Sequence, residues 1–258
     1  MYHYKLLIAY DGYDYHGWQW QPTKKAVANH LEKAFKKAFC QEVISLTGAS
    51  RTDTGVHAWG QVARLKIAFY LEPETLKRAW QGTLPIAIML RDVQFMDRDF
   101  DLQSTVMHKT YDYYVSRTRV VPVLARYCAL YYEDFDSEIL QRNLNVFLGT
   151  HDFRSFCTGD DKENTVRTIT SITVAYVRAF KAYRIRVTGP GFLRYMIRRI
   201  VGAALQVTTW ELEKKIDNGQ DYLNTILQAK NPRQHLKTAP AHGLMLRSIT
   251  YRTDHGIR

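Results

Sequence analysis

Apolar and polar positions alternate from Tyr4 to Tyr10, the pattern of a half-buried strand. A loop from Asp11 to Thr23 follows, holding Asp11-Gly12, Gly17-Trp18 and Pro22. Val27, Leu31, Ala34, Phe35 and Ala38 then recur at helical spacing, with Lys33, Lys36 and Lys37 on the opposite face. Strands are predicted at about 43–48 and 60–69. A second helix begins near Glu72-Pro73-Glu74, where proline and early acids suit a first turn, and ends near Gly82. A short strand at about Leu90–Phe95 closes this half, giving the order β-α-β-β-α-β.

The second half repeats that order without repeating the sequence. Val106–Val115 reads as a strand and Cys128–Tyr132 as a short, edge-like one. Asp136 or Ser137 caps a helix whose core face is Ile139, Leu140, Leu144 and Phe147 or Leu148. Strands are predicted at about Thr168–Val177 and Ala182–Thr188. The longest helix carries Leu193, Met196, Ile197, Ile200, Val201, Ala204 and Leu205 on one face, with Arg194 and Arg198 one turn apart at its flank. Residues 208–232 read as small surface helices, and Leu244–Arg252 as the last strand. The expectation is an α+β protein of two ferredoxin-like (RRM-like) β-α-β-β-α-β units, residues 1–103 and 104–258. Their largely antiparallel sheets would pack side by side around a basic RNA-binding groove.

Composition narrows the partner. With 46% hydrophobic and 24% charged residues, the 258-residue chain has the makings of a soluble globular core. No apolar run is long enough to span a membrane, and the N-terminal residues run straight into a strand pattern rather than a signal sequence. Cys40, Cys128 and Cys157 are far apart, which suggests reduced thiols in a cytoplasmic protein. The nine histidines show no metal spacing, and no phosphate-binding glycine loop is present. The expected chemistry therefore uses neither metal nor cofactor. A net charge of +11, with 17 Tyr, 11 Phe and 5 Trp, supplies what RNA binding uses: cations for phosphates and flat rings for unstacked bases. The charge is also polarised. Asn164–Trp210 contains no Asp or Glu but eight Arg and Lys, among them Arg186 and Arg194, read as phosphate contacts. Acidic residues gather at 133–136 and 160–163.

Three places can carry chemistry. Asp53, in the polar turn Leu46–His57 with Gly48 and Gly55, is the sole carboxylate between Glu42 and Glu72. Such a group on a loop between strands can be held ionised and aimed as a nucleophile or base. On local chemistry alone, a solvated turn aspartate paired with Arg51 carries more weight. Tyr111 and Tyr113 share one face of a strand, and the expectation is one core and one site tyrosine. Arg198, with Arg194, reads either as an ordinary solvated helix face or, lying beside the apolar stripe, as a half-buried cation needing a carboxylate, for which Asp53 is a natural partner. His57 reads as turn scaffolding or a loop contact.

These residues resemble a known family, the tRNA pseudouridine synthase A type, over nearly the whole chain. Six stretches carry the resemblance in order. They are Tyr4–Gln19, Ser50–Ala58 (Ser-Arg-Thr-Asp-Thr-Gly-Val-His-Ala), Lys109–Tyr113 (Lys-Thr-Tyr-Asp-Tyr), Gly149–Phe156, Phe192–Gly202 and Ala239–Leu246. The resemblance implies isomerisation of a uridine in tRNA: the N-glycosidic bond breaks, the uracil turns, and C5 rejoins the sugar. It places Asp53 on the catalytic aspartate and Tyr111 on the tyrosine packing against the flipped uracil. Arg198 falls on the arginine pairing with that aspartate, Arg51 on one holding the target nucleotide out of its stack, and Leu244 on an apolar pocket residue. It further implies an anticodon stem-loop as substrate, a homodimer, no membrane and no cofactor or metal.

The chain also departs from the family. Val27-Ala28 stands where the family usually has Val-Gln. Phe100-Asp101-Leu102-Gln103, then Met107, stands for Phe-His-Ala-Arg and a following alanine, and Thr83–Ile88 for Asn-Leu-Pro-x-Asp-Ile. The catalytic set is untouched, while a histidine and an arginine at RNA-contact positions are lost. A divergent enzyme acting on another RNA position and a non-catalytic RNA-binding module are the alternatives. A hydrolytic glycosidase is disfavoured, since no second carboxylate accompanies Asp53.

Overall fold

The computed structural model describes residues 1–131, 133–158 and 164–252. In chain order the elements are β1 Tyr2–Tyr10, α1 Val27–Phe39, β2 Ser45–Gly48, β3 His57–Ile67, α2 Pro73–Gln81, β4 Ile88–Phe95, β5 Val106–Ser116, α3 Pro122–Ala125 and β6 Ala129–Leu130. There follow α4 Ser137–Leu144, β7 Gly149–Asp152, β8 Val166–Ile169, β9 Ser171–Val177, β10 Ala182–Gly189, α5 Met196–Leu212, α6 Gly219–Ala229 and β11 Leu244–Tyr251. The fold is mixed α+β with mostly antiparallel strand pairs. Among the described residues no helix is long and apolar enough to cross a membrane.

Two compact units emerge: Met1–Met107 with Met245–Arg258, and His108–Leu244. The sequential division at 103/104 placed the last strand with the second half. It instead joins the first unit, because β11 pairs in parallel with β3, Met245 and Leu246 lying opposite His57 and Ala58. Hydrophobic patterning says where a strand is, not which sheet edge it takes.

In the first unit the sheet runs β4-β1-β3, all antiparallel, with β2 antiparallel to β3. The strict alternation of β1 is used on both faces. Tyr4, Leu6, Ile8 and Tyr10 are buried, while His3, Lys5 and Leu7 are half-buried. Leu31 and Phe35 of α1 and Leu76 and Trp80 of α2 are fully enclosed. Trp80 meets Phe35 edge-on at 5.1 Å and donates its indole N–H to the Leu31 carbonyl at 3.0 Å. A buried indole needs such a partner, so this bond ties α2 to α1.

In the second unit β5-β10-β9 form an antiparallel sheet, with β6 parallel to β5, and β7-β8 form a separate ribbon. Asp136 caps α4 by accepting the Glu138 and Ile139 amides. Tyr132, the end of the predicted strand before it, lies outside the described residues. The segment predicted as one strand, 168–177, breaks at Thr170 into β8 and β9. Gly149–Asp152, too polar to read as a strand, pairs with β8. α5 starts at Met196, because Tyr195 takes a left-handed conformation (φ 60°) just before it. Arg194 therefore precedes the helix rather than lying one turn from Arg198 on it. Leu193 keeps the helical period by being buried from the loop, which periodicity cannot detect. Residues 208–232 are the end of α5 plus one docked helix, α6, whose Leu223 and Leu227 are buried. Its polar majority hid a two-residue apolar stripe.

Candidate active site and RNA-binding residues

The first two motifs meet in one loop cluster of the first unit. Much of the chain from Ala49 to Val56 is held by backbone bonds. Ala49 N–H reaches the Val62 carbonyl at 2.8 Å, and Gln61 brackets Ser50 by accepting its amide and donating to its carbonyl. The opening loop grips the other side. Trp18 N–H donates to Thr52 O at 3.2 Å, and Gly55 N–H to Tyr15 O at 3.0 Å. The Tyr10 hydroxyl meets Thr52 Oγ1 at 2.8 Å, and Gly12 N–H donates to His57 Nδ1 at 3.0 Å. Asp11 Oδ1 lies 3.2 Å from the same ring nitrogen. A nitrogen that accepts from Gly12 has no proton for the carboxylate, so the amide bond is the better description of this contact. His57 is buried and is turn scaffolding, as its position in the sequence suggested.

Two glycines of the opening loop are explained by this grip. A Cβ on Gly12 would stand 1.9 Å from the Val56 carbonyl oxygen, and one on Gly17 (φ +79°) 2.3 Å from that of Thr52. Both loops must touch through bare backbone to hold Asp53 between the anchored Thr52 and Val56. Asp53 itself is half-buried and Arg51 exposed, so the loop shows one to solvent fully and the other partly. Gly17→Ala is expected to cost about 1–2 kcal/mol in stability through the left-handed backbone alone. It should lower kcat by more than that loss implies, since Thr52 must shift. Thermal unfolding beside single-turnover kinetics checks this; an unchanged kcat would mean the loop position is tolerant.

The third, fifth and sixth motifs meet in the second unit. Tyr113 of β5 is buried, and its hydroxyl donates to the Pro240 carbonyl at 3.1 Å. Burial holds its phenol well above the usual range, and the Arg198 charge partly opposes this. Arg198 is half-buried. Its Nε donates to the Ala239 carbonyl at 2.8 Å, and Ala239 N–H returns a bond to the Arg198 carbonyl at 3.0 Å. Its guanidinium stacks on Tyr195, 5.0 Å from the ring centre, with Arg194 5.1 Å from the same centre. Tyr111 is buried too, edge-on to Phe192 at 5.5 Å. Both tyrosines of the pair are therefore buried, Tyr113 the more completely. Leu244, buried, opens β11. The fourth motif is structural: Phe153 and Phe156 are enclosed, and Ser155 donates to the Ile226 carbonyl at 2.6 Å.

The arginines divide by partner. Arg199, next to Arg198, is buried with its guanidinium on the Cys157 and Pro232 carbonyls. Arg186, read from sequence as a phosphate contact, is a bidentate partner of buried Asp112 at 2.6 and 2.8 Å. The two stand directly opposite on β10 and β5. A side chain so committed is not free for RNA. The sequence reading passed over Trp59, which is 45% exposed on β3, a few residues past Asp53. Arg91 lies 4.7 Å and Arg247 5.4 Å from its ring centre. β4 and β11 lie to opposite flanks of β3 in the strand order, so the cations reach the indole from two directions across one face of the sheet. The missing signal was an aromatic breaking the apolar register of β3.

Comparisons with known proteins identify the family. A family model described as tRNA pseudouridine synthase matches residues 144–252. A tRNA pseudouridine synthase A of Acetivibrio thermocellus is 34% identical over 249 residues, covering 96% of this chain and 98% of that protein. One of Chlamydia pneumoniae is 35% identical over 255 residues, covering 97% and 92%. The tRNA pseudouridine synthase A 1 of Protochlamydia amoebophila is 33% identical over 261 residues, covering 99% of each. At this identity over nearly its full length, the chain belongs to the tRNA pseudouridine synthase family and is an isomerase that makes pseudouridine in tRNA.

Proposed function

We propose that Asp53 is the catalytic carboxylate of this isomerisation and that the target uridine lies in the anticodon stem-loop. In the reaction the N1–C1′ bond breaks and the C5–C1′ bond forms. C5 gives up its proton and N1 ends protonated, so the bonds balance without redox chemistry. The observation that carries the reading is the clamp on the Asp53 loop. Backbone bonds from the opening loop hold Thr52 and Gly55, the Tyr10 hydroxyl meets Thr52 Oγ1, and Val56 N–H closes a turn on the Asp53 carbonyl, so the residues on both sides of Asp53 are fixed. Arg51, exposed beside it, holds the target nucleotide out of its stack. Tyr111 packs on the uracil, Leu244 closes the apolar side, and Arg198 is the cation that keeps Asp53 ionised. The assignment of these four rests on the sequence motifs.

In the same reading both units are ferredoxin-like, a basic groove carries the RNA, and the protein is a cytoplasmic homodimer. A specific observation favours altered substrate choice within this function. Asp101, where the family has histidine, turns its carboxylate onto the Gln103 and Ser104 amides, at 2.7 and 3.1 Å. These bonds hold it below the usual carboxylate range, an ionised turn group in place of a ring that would contact RNA. Pseudouridine mapping in a strain lacking the protein tests the proposal. Loss at anticodon stem-loop uridines, restored by the wild-type gene and not by Asp53→Ala, is expected. Loss at another RNA site would keep the chemistry and move the substrate. No loss in a strain without a redundant enzyme would overturn the function.

A further inference from the structure

Tyr195 holds a backbone conformation that its place in the fold does not explain. Among the described residues five besides glycine take a positive φ: Cys40, Lys181, Tyr195, Lys214 and Lys230. Four of them stand at or just past the end of a helical segment, where a left-handed residue commonly closes the last turn. Tyr195 instead stands at the start of α5, with φ 60° and ψ 0°. An N-cap is ordinarily extended and carries a short side chain that accepts the first free amides. Asp136 does so for α4 and Asn218 for α6. Tyr195 caps nothing through its side chain, and its carbonyl accepts the Arg199 amide at 2.9 Å. A bulky side chain at a left-handed position is strained, and a residue that also gives up capping needs a reason outside the helix.

The reason lies on the ring. Arg198, one turn on, has its guanidinium 5.0 Å from the ring centre, and that of Arg194 is 5.1 Å from it. Arg198 Nε is already given to the Ala239 carbonyl at 2.8 Å. That bond pins one nitrogen and leaves the guanidinium plane to turn about it. A ring face against the guanidinium removes this freedom. With Nε spent, a carboxylate can be met in fork geometry only by the two terminal nitrogens. The direction of the plane therefore decides whether such a pair can form. Leu193 and Met196, buried on both sides of the turn, hold Tyr195 in place against the strain.

We infer that Tyr195 is a positioning residue: its ring, presented by the left-handed turn, sets the Arg198 guanidinium in the orientation that turnover requires. This rests on the role given to Arg198 above. The ring acts through Arg198 and not on the uridine.

The test uses the full-length protein and unmodified tRNA in single-turnover assays. Tyr195→Asn accepts the left-handed backbone without a ring, and Tyr195→Leu keeps apolar bulk without a π face. Both should lower the rate at saturating tRNA by about ten- to a hundredfold and leave tRNA affinity unchanged. Tyr195→Phe should restore the wild-type rate. In an Arg198→Met background Tyr195→Asn should cost nothing further, because the group through which the ring acts is gone. A wild-type rate in both variants without a ring, or losses that multiply with Arg198→Met, would overturn the inference. So would a fall in tRNA affinity that accounts for the whole loss. A separate readout follows the guanidinium itself. With isotopically labelled arginine, the Arg198 Nε–H resonance is assigned by its absence in Arg198→Met. It should lie upfield in wild type and Tyr195→Phe and move in Tyr195→Asn; an unmoved resonance would overturn the contact. A full rate in Arg198→Met with a resonance that still moves in Tyr195→Asn would overturn the catalytic reading of Arg198, and the ring's part in turnover with it, while the contact stands.

Discussion

Asp53→Asn is expected to stop pseudouridine formation while tRNA affinity stays the same or tightens. The sign on affinity follows from charge: removing a carboxylate that faces a polyanion removes repulsion. The size of the loss distinguishes roles that the fold leaves open. A carboxylate moving a proton in the transition state contributes about 10²–10⁴-fold, whereas loss of a covalent nucleophile lowers kcat on the order of 10⁶-fold. Single-turnover assays on unmodified tRNA, beside equilibrium binding at fixed salt, read both quantities. The clamp around the loop makes the experiment clean. Thr52, Gly55 and Val56 are held by bonds that do not involve the Asp53 side chain, so the asparagine inherits the same placement. Collapse of affinity together with turnover would mean that Asp53 shapes the loop rather than acting on uridine.

Arg186→Met is expected to destabilise the protein by about 3 kcal/mol. Loss of one partner leaves the other charge buried and uncompensated, which typically costs about 3–5 kcal/mol. The lower end applies because Arg186 keeps 34% of its side chain exposed, while Asp112 is 1% exposed. Asp112 raises the Arg186 guanidinium above its ordinary value, as a partner that favours the charged form must. The double change Arg186→Met with Asp112→Asn should recover most of the loss, since no buried charge then remains. Denaturant unfolding of the four proteins measures the coupling. If the single change leaves stability intact and instead flattens the salt dependence of tRNA binding, Arg186 is the phosphate contact that its place in a basic stretch suggested.

That misassignment shows the kind of information a linear reading lacks. Asp112 and Arg186 are separated by most of the second unit, and only the β5–β10 register sets them opposite each other. The same holds for Arg198 and Arg199. Adjacent in sequence and alike in chemistry, they differ because successive helical positions are about 100° apart. One turns to the Ala239 carbonyl and Tyr195, the other into the protein interior. The cations around Trp59 and the sheet joined by β11 are likewise properties of neighbours brought from elsewhere in the chain.

Local rules did determine much. The alternation of β1, the apolar faces of α1 and α4, the proline start of α2 and the Asp136 cap depend on residues within one or two turns of each other. The sequence by itself was therefore sufficient for the α+β class, for the first unit's order of elements and, through six ordered motifs, for the family. Local rules alone left Asp53 as a turn carboxylate, and only the motif Ser50–Ala58 made it the catalytic candidate. Tertiary structure alone decided why the motifs exist. The first two lock one loop cluster, the third, fifth and sixth join through Arg198, Tyr113 and the Ala239–Pro240 carbonyls, and the fourth fills a core. Backbone contacts of this kind leave no side-chain pattern behind, only glycines and carbonyls whose partners are set by the folded chain.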